Sequence, residues 1–199
     1  MNVIGITGGI GSGKSIISNI LRDEGYPVFD CDTEAKNICN SDLDTIRKIK
    51  ELFGENIYQN NVLDRKAVAE IVFNDKGSLD KLNAIIHPVT MNCMYDFIIS
   101  ASGNGNLLCF IESAIIFESE LCKLMDEILT VYAPEEIRIN RVIERDNTTK
   151  DKVLDRINNQ LNEKDRLSMS DYIIHNDRPL TEVKDNLLRL VVDMKENIN

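Results

Sequence analysis

The sequence predicts an α/β fold in three layers, built on a parallel sheet of about five strands. Two observations carry this prediction. A glycine-rich loop lies between a short apolar run and a helical pattern near the start of the 199-residue chain. Beyond it, further short apolar runs are separated by longer segments, several of them with helical spacing, which is typical of helices packed on a parallel sheet.

The first 30 residues predict a βαβ unit. Residues 2–7 are a short apolar run that ends at the glycines and is typical of a buried strand. From Lys14 onward the apolar residues recur at helical spacing, and Gly25 ends this helix. Residues 26–30 form the second predicted strand. A strand, a loop, a helix and a strand in this order are expected to place the two strands parallel.

The rest of the chain supplies three more candidate strands and several helical stretches. The strands are predicted at 107–111, 127–133 and 171–176, and the last helix at 179–198. We expect a single domain with a core at about 1–32, 105–137 and 168–199. A helical insertion is predicted at about 33–104, and a polar helical lid at about 138–167.

Composition and charge exclude several classes of protein. The net charge of −10 disfavours a nucleic-acid partner, which would require a basic surface. The five cysteines are scattered and form no C-x-x-C pair, so we expect a reducing, cytoplasmic environment without disulfides or a zinc knuckle. No apolar run approaches the roughly 20 residues of a membrane span, and no secretory signal is evident, so no membrane partner is expected. The sequence leaves the number of subunits open, and a monomer is compatible with it.

The glycine-rich loop matches a phosphate-binding motif. Gly8, Gly13, Lys14 and Ser15 fit the pattern G-x-x-x-x-G-K-[ST]. The glycines let backbone N–H groups approach phosphate oxygens, and the following helix directs its positive N-terminal end at them. Lys14 is predicted to reach the β- and γ-phosphates, and the Ser15 hydroxyl to bind Mg²⁺. The predicted nucleotide site comprises Gly8, Gly9, Ile10, Gly11, Ser12, Gly13, Lys14, Ser15 and Ile16.

Two aspartates follow the second predicted strand. Asp30 and Asp32 lie at its carboxyl end, where the ligands of α/β sheets gather. Alternation along an extended chain would point both side chains to the same side. An aspartate there can accept a proton from an acceptor hydroxyl or hold a water on Mg²⁺. The alternative is that Asp32 caps a helix that begins near Thr33, because Asp is a favoured N-cap residue.

Basic residues supply a further set of candidates. Arg138, Arg141 and Arg145 are spaced i, i+3 and i+7 and share one face of a predicted helix. Arginine at a transferring phosphoryl group stabilises developing charge, but the same spacing also fits a solvated face paired with nearby acids. His87 precedes Pro88, which is expected to begin a helix. Taken alone, His87 fits an ordinary surface histidine.

Several segments, in chain order, resemble the dephospho-CoA kinase family. The resemblance rests on IGITGGIGSGKS (4–15), VFDCD (28–32), LNAIIHP (82–88), IRINRVIERD (137–146), RINNQ (156–160) and SDYIIHND (170–177), and it covers nearly the whole chain. The chain departs from the family pattern in having Ile16 where the family usually has Thr, Ala114 at a proline position and Asp177 where a glycine is common.

The resemblance implies a P-loop kinase that uses ATP to phosphorylate the 3′-hydroxyl of dephospho-CoA, giving coenzyme A and ADP. It implies Lys14, Asp32 and Arg141 as catalytic residues, with Asp32 as the base. It also implies Arg141 and Arg145 as lid contacts to ATP phosphates, Asp32 and His87 on the acceptor side, and Mg²⁺ at Ser15.

Two alternatives stay open at this point. Another P-loop small-molecule kinase, such as a nucleoside monophosphate kinase, would share the loop and differ only on the acceptor side. A non-catalytic nucleotide-binding regulator would have no acceptor. A signalling GTPase is disfavoured, because the sequence has neither an N-K-x-D motif nor a D-x-x-G motif.

Overall fold

A sheet of five parallel strands organises the fold, which confirms the predicted fold class. The computed structural model describes residues 1–198, with the side chains of all of these except 73, 74, 76 and 120. Over this range the strands are β1 (Asn2–Thr7), β2 (Val28–Asp30), β3 (Tyr58–Gln59), β4 (Val62–Leu63), β5 (Leu108–Glu112), β6 (Glu127–Tyr132) and β7 (Tyr172–His175). The main sheet has the order β2–β5–β1–β6–β7, and every neighbouring pair in it is parallel.

Helices separate the strands. Over the same residues they are α1 (Lys14–Asp23), α2 (Cys31–Ser41), α3 (Leu43–Phe53), α4 (Arg65–Asn74), α5 (Lys76–Gly103), α6 (Glu135–Asp146), α7 (Lys150–Asn158), α8 (Glu163–Ser168) and α9 (Leu180–Glu196). Two short 3₁₀ helices cover Glu55–Ile57 and Glu120–Leu124. Within residues 1–198, none of the helices has both the length and the apolar character that crossing a membrane requires.

Alternate residues of the strands point to the face of the sheet that packs against α1 and α9. The strand residues on this face are Ile4, Ile6, Leu108, Phe110, Leu129, Val131 and Ile174. The helices add Ile17, Ile20 and Leu21 from α1, and Val183, Leu187, Val191 and Met194 from α9. The two-residue period of the strands and the period of about 3.6 residues in the helices therefore meet in one apolar layer.

The chain divides into two compact units. One comprises residues 1–30 and the chain from residue 98 onward, and the other is Cys31–Phe97. The second unit has a core of its own, whose buried members are Cys39, Ile49, Ile57, Leu63, Val68 and Leu82. The helical insertion proposed at about 33–104 overlaps this unit, and its limits as a domain stay a prediction.

A short hairpin in the second unit differs from the mostly helical prediction for this segment. β3 and β4 pair antiparallel around a two-residue turn. The turn residues Asn60 and Asn61 have φ of 49° and 63°, the left-handed region that a tight hairpin turn requires and Asn tolerates. Strands of two residues are too short to show a hydrophobic period, so the Asn-Asn pair was the only local sequence feature that indicated this hairpin turn.

Pro88 lies inside α5 and does not begin a helix, which corrects the prediction. Proline has no N–H, so the carbonyl of Ala84 loses its usual donor four residues later. Two residues after the proline, the Thr90 hydroxyl donates to the carbonyl oxygen of Ile86 at 3.0 Å. Leu82 and Met94, before and after the proline, are both buried. Packing along both halves of the helix therefore outweighs the local cost of the proline.

Replacing Val191 by Ala tests the contact of α9 with the sheet. Val191 is fully buried, so truncation removes two methyl groups, leaves a cavity and is expected to lower the free energy of unfolding by about 2 kcal/mol. Val192 is 53% exposed, so Val192→Ala is a matched control with an expected change under about 0.5 kcal/mol. Urea unfolding followed by circular dichroism measures both variants, and equal losses would contradict the described packing.

Candidate active site

The phosphate loop is packed so closely that none of its four glycines has space for a side chain. Residues 8–13 join the end of β1 to the start of α1. Gly11 and Gly13 have φ of +78° and +93°, which glycine adopts without strain. A Cβ at Gly11 would overlap the backbone carbonyl of Arg138, and a Cβ at Gly13 would overlap the side-chain amide of Asn176. Both the backbone turn and the close approach of α6 and of the segment after β7 therefore require glycine.

Arg141 and Asn176 hold the carbonyl groups of this loop. The side-chain N–H of Asn176 donates to the carbonyl oxygen of Ser12 at 2.7 Å. The Arg141 guanidinium donates to the carbonyl oxygens of Gly11 (3.5 Å), Ser12 (3.4 Å) and Asn176 (2.8 Å). In a trans peptide the C=O and the N–H point in opposite directions, so the N–H of Gly13 faces away from Asn176. The carbonyl oxygens of Gly11 and Ser12 therefore face Arg141 and Asn176, and the N–H of Gly13 on the opposite side can donate to an anion.

The N-terminus of α1 favours an anion. Its N-cap residue, Gly13, has no side chain, and its first turn contains no acidic residue. The helix dipole and the first-turn N–H groups are therefore not satisfied by a carboxylate of the helix itself. Lys14 Nζ donates to the carbonyl oxygen of Gly8 at 2.9 Å, and Ser15 is exposed on the first turn. These features together are what a nucleotide phosphate requires of a protein.

Arg145, predicted as a second arginine contact to ATP, lies in a surface ion pair. Its Nε and Nη2 donate to the carboxylate of Asp146 at 2.7 and 3.0 Å, and Arg156 donates to the same carboxylate at 2.8 Å. The hydrogen bonds from Arg145 and Arg156 lower the pKa of Asp146 to about 2, so this carboxylate is charged at neutral pH. The structure brings Arg141 onto the loop, whereas the role of Arg145 toward ATP stays a prediction.

A buried cluster of charged side chains lies against the start of the loop. Arg138 and Arg166 are only 3% and 1% exposed. The Glu163 carboxylate is 2.7 Å from Nη1 of Arg166 and 3.6 Å from Nη2 of Arg138. A Cβ at Gly9 would overlap the Arg138 guanidinium. Together with Gln160, these three side chains line a cavity of about 280 Å³.

Glu112 is a candidate site residue that the sequence analysis missed. It ends β5 opposite Asp30 of β2, so two carboxylates lie at the same edge of the sheet. Glu112 is buried, and its Oε2 has no hydrogen-bond partner among the described atoms. Burial raises the pKa of Glu112 and the charge of Asp30 adds to this, whereas the Ser18 hydroxyl and the charges of Lys14 and Arg22 act against it. The sequence feature that could have identified Glu112 is an acidic residue directly after an apolar run. Phosphate-loop proteins commonly hold Mg²⁺ with an acidic residue at the end of a strand.

A second cavity, of about 460 Å³, lies within the second unit. Its lining includes the buried apolar side chains Leu63, Val68 and Leu82. Three charged side chains line it as well, namely Asp32, Lys36 and Arg65, and all three are exposed. An apolar surface combined with two cations and a carboxylate fits a ligand that has both a neutral arm and negative charge.

Asp32 lies in the first turn of α2. Because β2 ends at Asp30 and α2 begins at Cys31, the chain is no longer extended at Asp32, and the alternation expected for the two aspartates does not apply. Asp32 also lies inside the helix and not at the N-cap position that the alternative required. His87 is exposed on α5 and is not among the described residues that line the cavity, so its acceptor role stays a prediction.

Comparison with known proteins finds relatives along nearly the full length of the chain. A model of the dephospho-CoA kinase family matches residues 2–182. A dephospho-CoA kinase from Oceanobacillus iheyensis is 36% identical over 196 residues, which cover 94% of this chain and 96% of that protein. The family match spans the phosphate loop, the second unit and helices α6 to α8.

Solved structures agree with these matches. The structure of a protein from Thermus thermophilus superposes with a TM-score of 0.83 at 31% identity, covering 96% of this chain and 97% of that one. A dephospho-CoA kinase from Campylobacter jejuni shares the fold, with a TM-score of 0.74 at 23% identity and 98% coverage of both chains. On the family match and the identity to its relatives, the chain belongs to the dephospho-CoA kinase family.

Proposed function

We propose that the protein transfers the γ-phosphoryl group of ATP to the 3′-hydroxyl of dephospho-CoA, giving coenzyme A and ADP. The observation that carries this proposal is the phosphate loop at the end of β1, complete from Gly8 to Ser15, in a chain that belongs to the dephospho-CoA kinase family. Transfer of this kind needs little covalent chemistry from the protein, so positioning and charge stabilisation are its main tasks.

The ATP phosphates bind, in this proposal, on the open side of the phosphate loop. The N–H of Gly13 and N–H groups in the first turn of α1 donate to phosphate oxygens, while Arg141 and Asn176 hold the loop from the carbonyl side. Lys14, whose Nζ donates to the carbonyl oxygen of Gly8 at the start of the loop, would donate to a phosphate oxygen bound at the same loop. Its charge would stabilise the negative charge that develops on the transferred group.

The residues at this edge of the sheet fit a divalent cation carried with ATP. Among residues 1–198, no three His, Cys, Asp or Glu side chains are arranged to hold a metal by themselves. Mg²⁺ commonly takes only one or two protein oxygens and completes its shell with phosphate and water oxygens. The Ser15 hydroxyl and the Glu112 carboxylate, whose Oε2 lacks a partner among the described atoms, would supply them. When bound, Mg²⁺ neutralises charge on the β- and γ-phosphates.

The second unit is the proposed acceptor side. Dephospho-CoA has a long neutral arm and a diphosphate, which match the apolar side chains of the cavity and its two cations, Lys36 and Arg65. Asp32 lines the same cavity and is the proposed base. In the transfer, the 3′-oxygen bonds to the γ-phosphorus, the bond from that phosphorus to the bridging oxygen breaks, and the hydroxyl proton passes to Asp32.

Replacing Asp32 by Asn tests its role as the base. The amide cannot accept the hydroxyl proton, so kcat for ADP release with dephospho-CoA is expected to fall by about a hundredfold or more. The affinity for ATP, measured by calorimetry, is expected to stay unchanged. Glu34→Gln removes the other acidic side chain of the same helical turn and is the matched control. Loss of ATP affinity in Asp32→Asn would instead make Asp32 a metal-holding or structural residue.

Replacing Arg65 by Ala tests the acceptor cavity. Loss of a cation that faces the acceptor diphosphate is expected to raise the KM for dephospho-CoA about tenfold and to leave kcat and the KM for ATP nearly unchanged. Lys66 is the adjacent exposed cation and does not line the described cavity, so Lys66→Ala is the matched control. Steady-state kinetics with each substrate varied in turn measures both variants, and equal shifts in KM would remove Arg65 from the site.

A further inference from the structure

One side chain of the proposed lid, residues 138–167, accepts a hydrogen bond directly from the backbone of the phosphate loop. Gln160 lies in the turn between α7 and α8, and its Oε1 accepts the backbone N–H of Ile10 at 2.8 Å. Both residues are half-buried. The hydrogen bond therefore joins the loop to a segment 150 positions later in the chain, in surroundings where water competes less well for it.

The side chain of Ile10 makes a second connection to the same part of the protein. It packs against the apolar cluster of the lid helices, whose buried members are Ile139, Val142 and Val153. Ile10 is thus held at both its backbone N–H and its side chain. Two different kinds of contact on one loop residue, both made by residues 138–167, fix the position and the orientation of its peptide group.

The neighbouring residue, Gly9, is held by the buried charged cluster. A Cβ at Gly9 would overlap the guanidinium of Arg138 and lie 3.3 Å from Oε2 of Glu163. Arg138 is itself fixed, because its Nε donates to the carbonyl oxygen of Ala133 at 3.1 Å. The first half of the loop therefore packs against Arg138 and is hydrogen-bonded to Gln160, and the second half is hydrogen-bonded to Arg141 and Asn176.

We propose that Gln160 is a positioning residue for phosphoryl transfer, which holds the phosphate loop in its ATP-binding shape through the N–H of Ile10. The inference rests on the proposed function. It also changes the role predicted for Ile10 in the nucleotide site, because the N–H of Ile10 is directed at Gln160 and not at a phosphate. A glycine-rich loop has many accessible conformations, and fixing one peptide group before ATP arrives lowers the entropy lost on binding.

Hydrogen exchange of the Ile10 amide, without nucleotide, tests the inference. Gln160→Met keeps the length of the side chain and removes the carbonyl acceptor, so exchange is expected to speed up about tenfold. Gln160→Glu keeps an acceptor oxygen and is expected to retain the protection. Asn159 is the adjacent exposed amide, which donates to the Asp155 carbonyl, so Asn159→Ala is the matched control with no change at Ile10.

Binding and turnover give the second readout. Gln160→Met is expected to weaken ATP binding about tenfold in calorimetry, with the KM for dephospho-CoA unchanged. Unchanged exchange at Ile10 in Gln160→Met overturns the inference, and so does faster exchange in Gln160→Met with ATP affinity unchanged. Neither hydrogen exchange nor ATP binding requires dephospho-CoA. If dephospho-CoA were not the substrate, Gln160→Met would still show faster exchange at Ile10 and weaker ATP binding, but the wild type would show no ADP release that depends on dephospho-CoA.

Discussion

The rest of the site depends on how the carbonyl groups of the phosphate loop are held. Arg141 and Asn176 take the carbonyl oxygens of Gly11 and Ser12 on one side, which turns N–H groups to the other side. An isolated glycine-rich segment would not keep this arrangement, because glycine has the greatest backbone freedom of any residue. The proposed anion site therefore depends on three chain segments together: the loop, helix α6 and the segment after β7.

The close packing around the loop glycines also connects the loop to helix α6. The carbonyl of Arg138 approaches Gly11 so closely that a side chain would be excluded, and the Asn176 amide does the same at Gly13. Tight packing of this kind ties the shape of the loop to the position of α6. A movement of α6 would therefore also move the groups that hold the loop.

Signals that lie within one stretch of chain were predictable, and contacts between distant stretches were not. The five strands of the sheet and the phosphate loop each have a local pattern, and the fold comparison confirms the class they indicated. The helical position of Asp32 was not predictable, because strand β2 ends only one residue before helix α2 begins. Glu163 and Arg166 have no distinguishing pattern, and their importance comes from burial against Arg138. Glu112 could have been found from its place after an apolar run.

The acceptor is the central claim, because the loop alone is compatible with many kinases. The most direct measurement is ADP release from ATP and Mg²⁺ with dephospho-CoA, AMP or no acceptor, for the wild type and for Lys14→Ala. ADP release is expected to be rapid with dephospho-CoA alone, with coenzyme A as the product, and to fall at least about a hundredfold in Lys14→Ala. Stimulation by AMP, or slow hydrolysis that is indifferent to every acceptor, would contradict it.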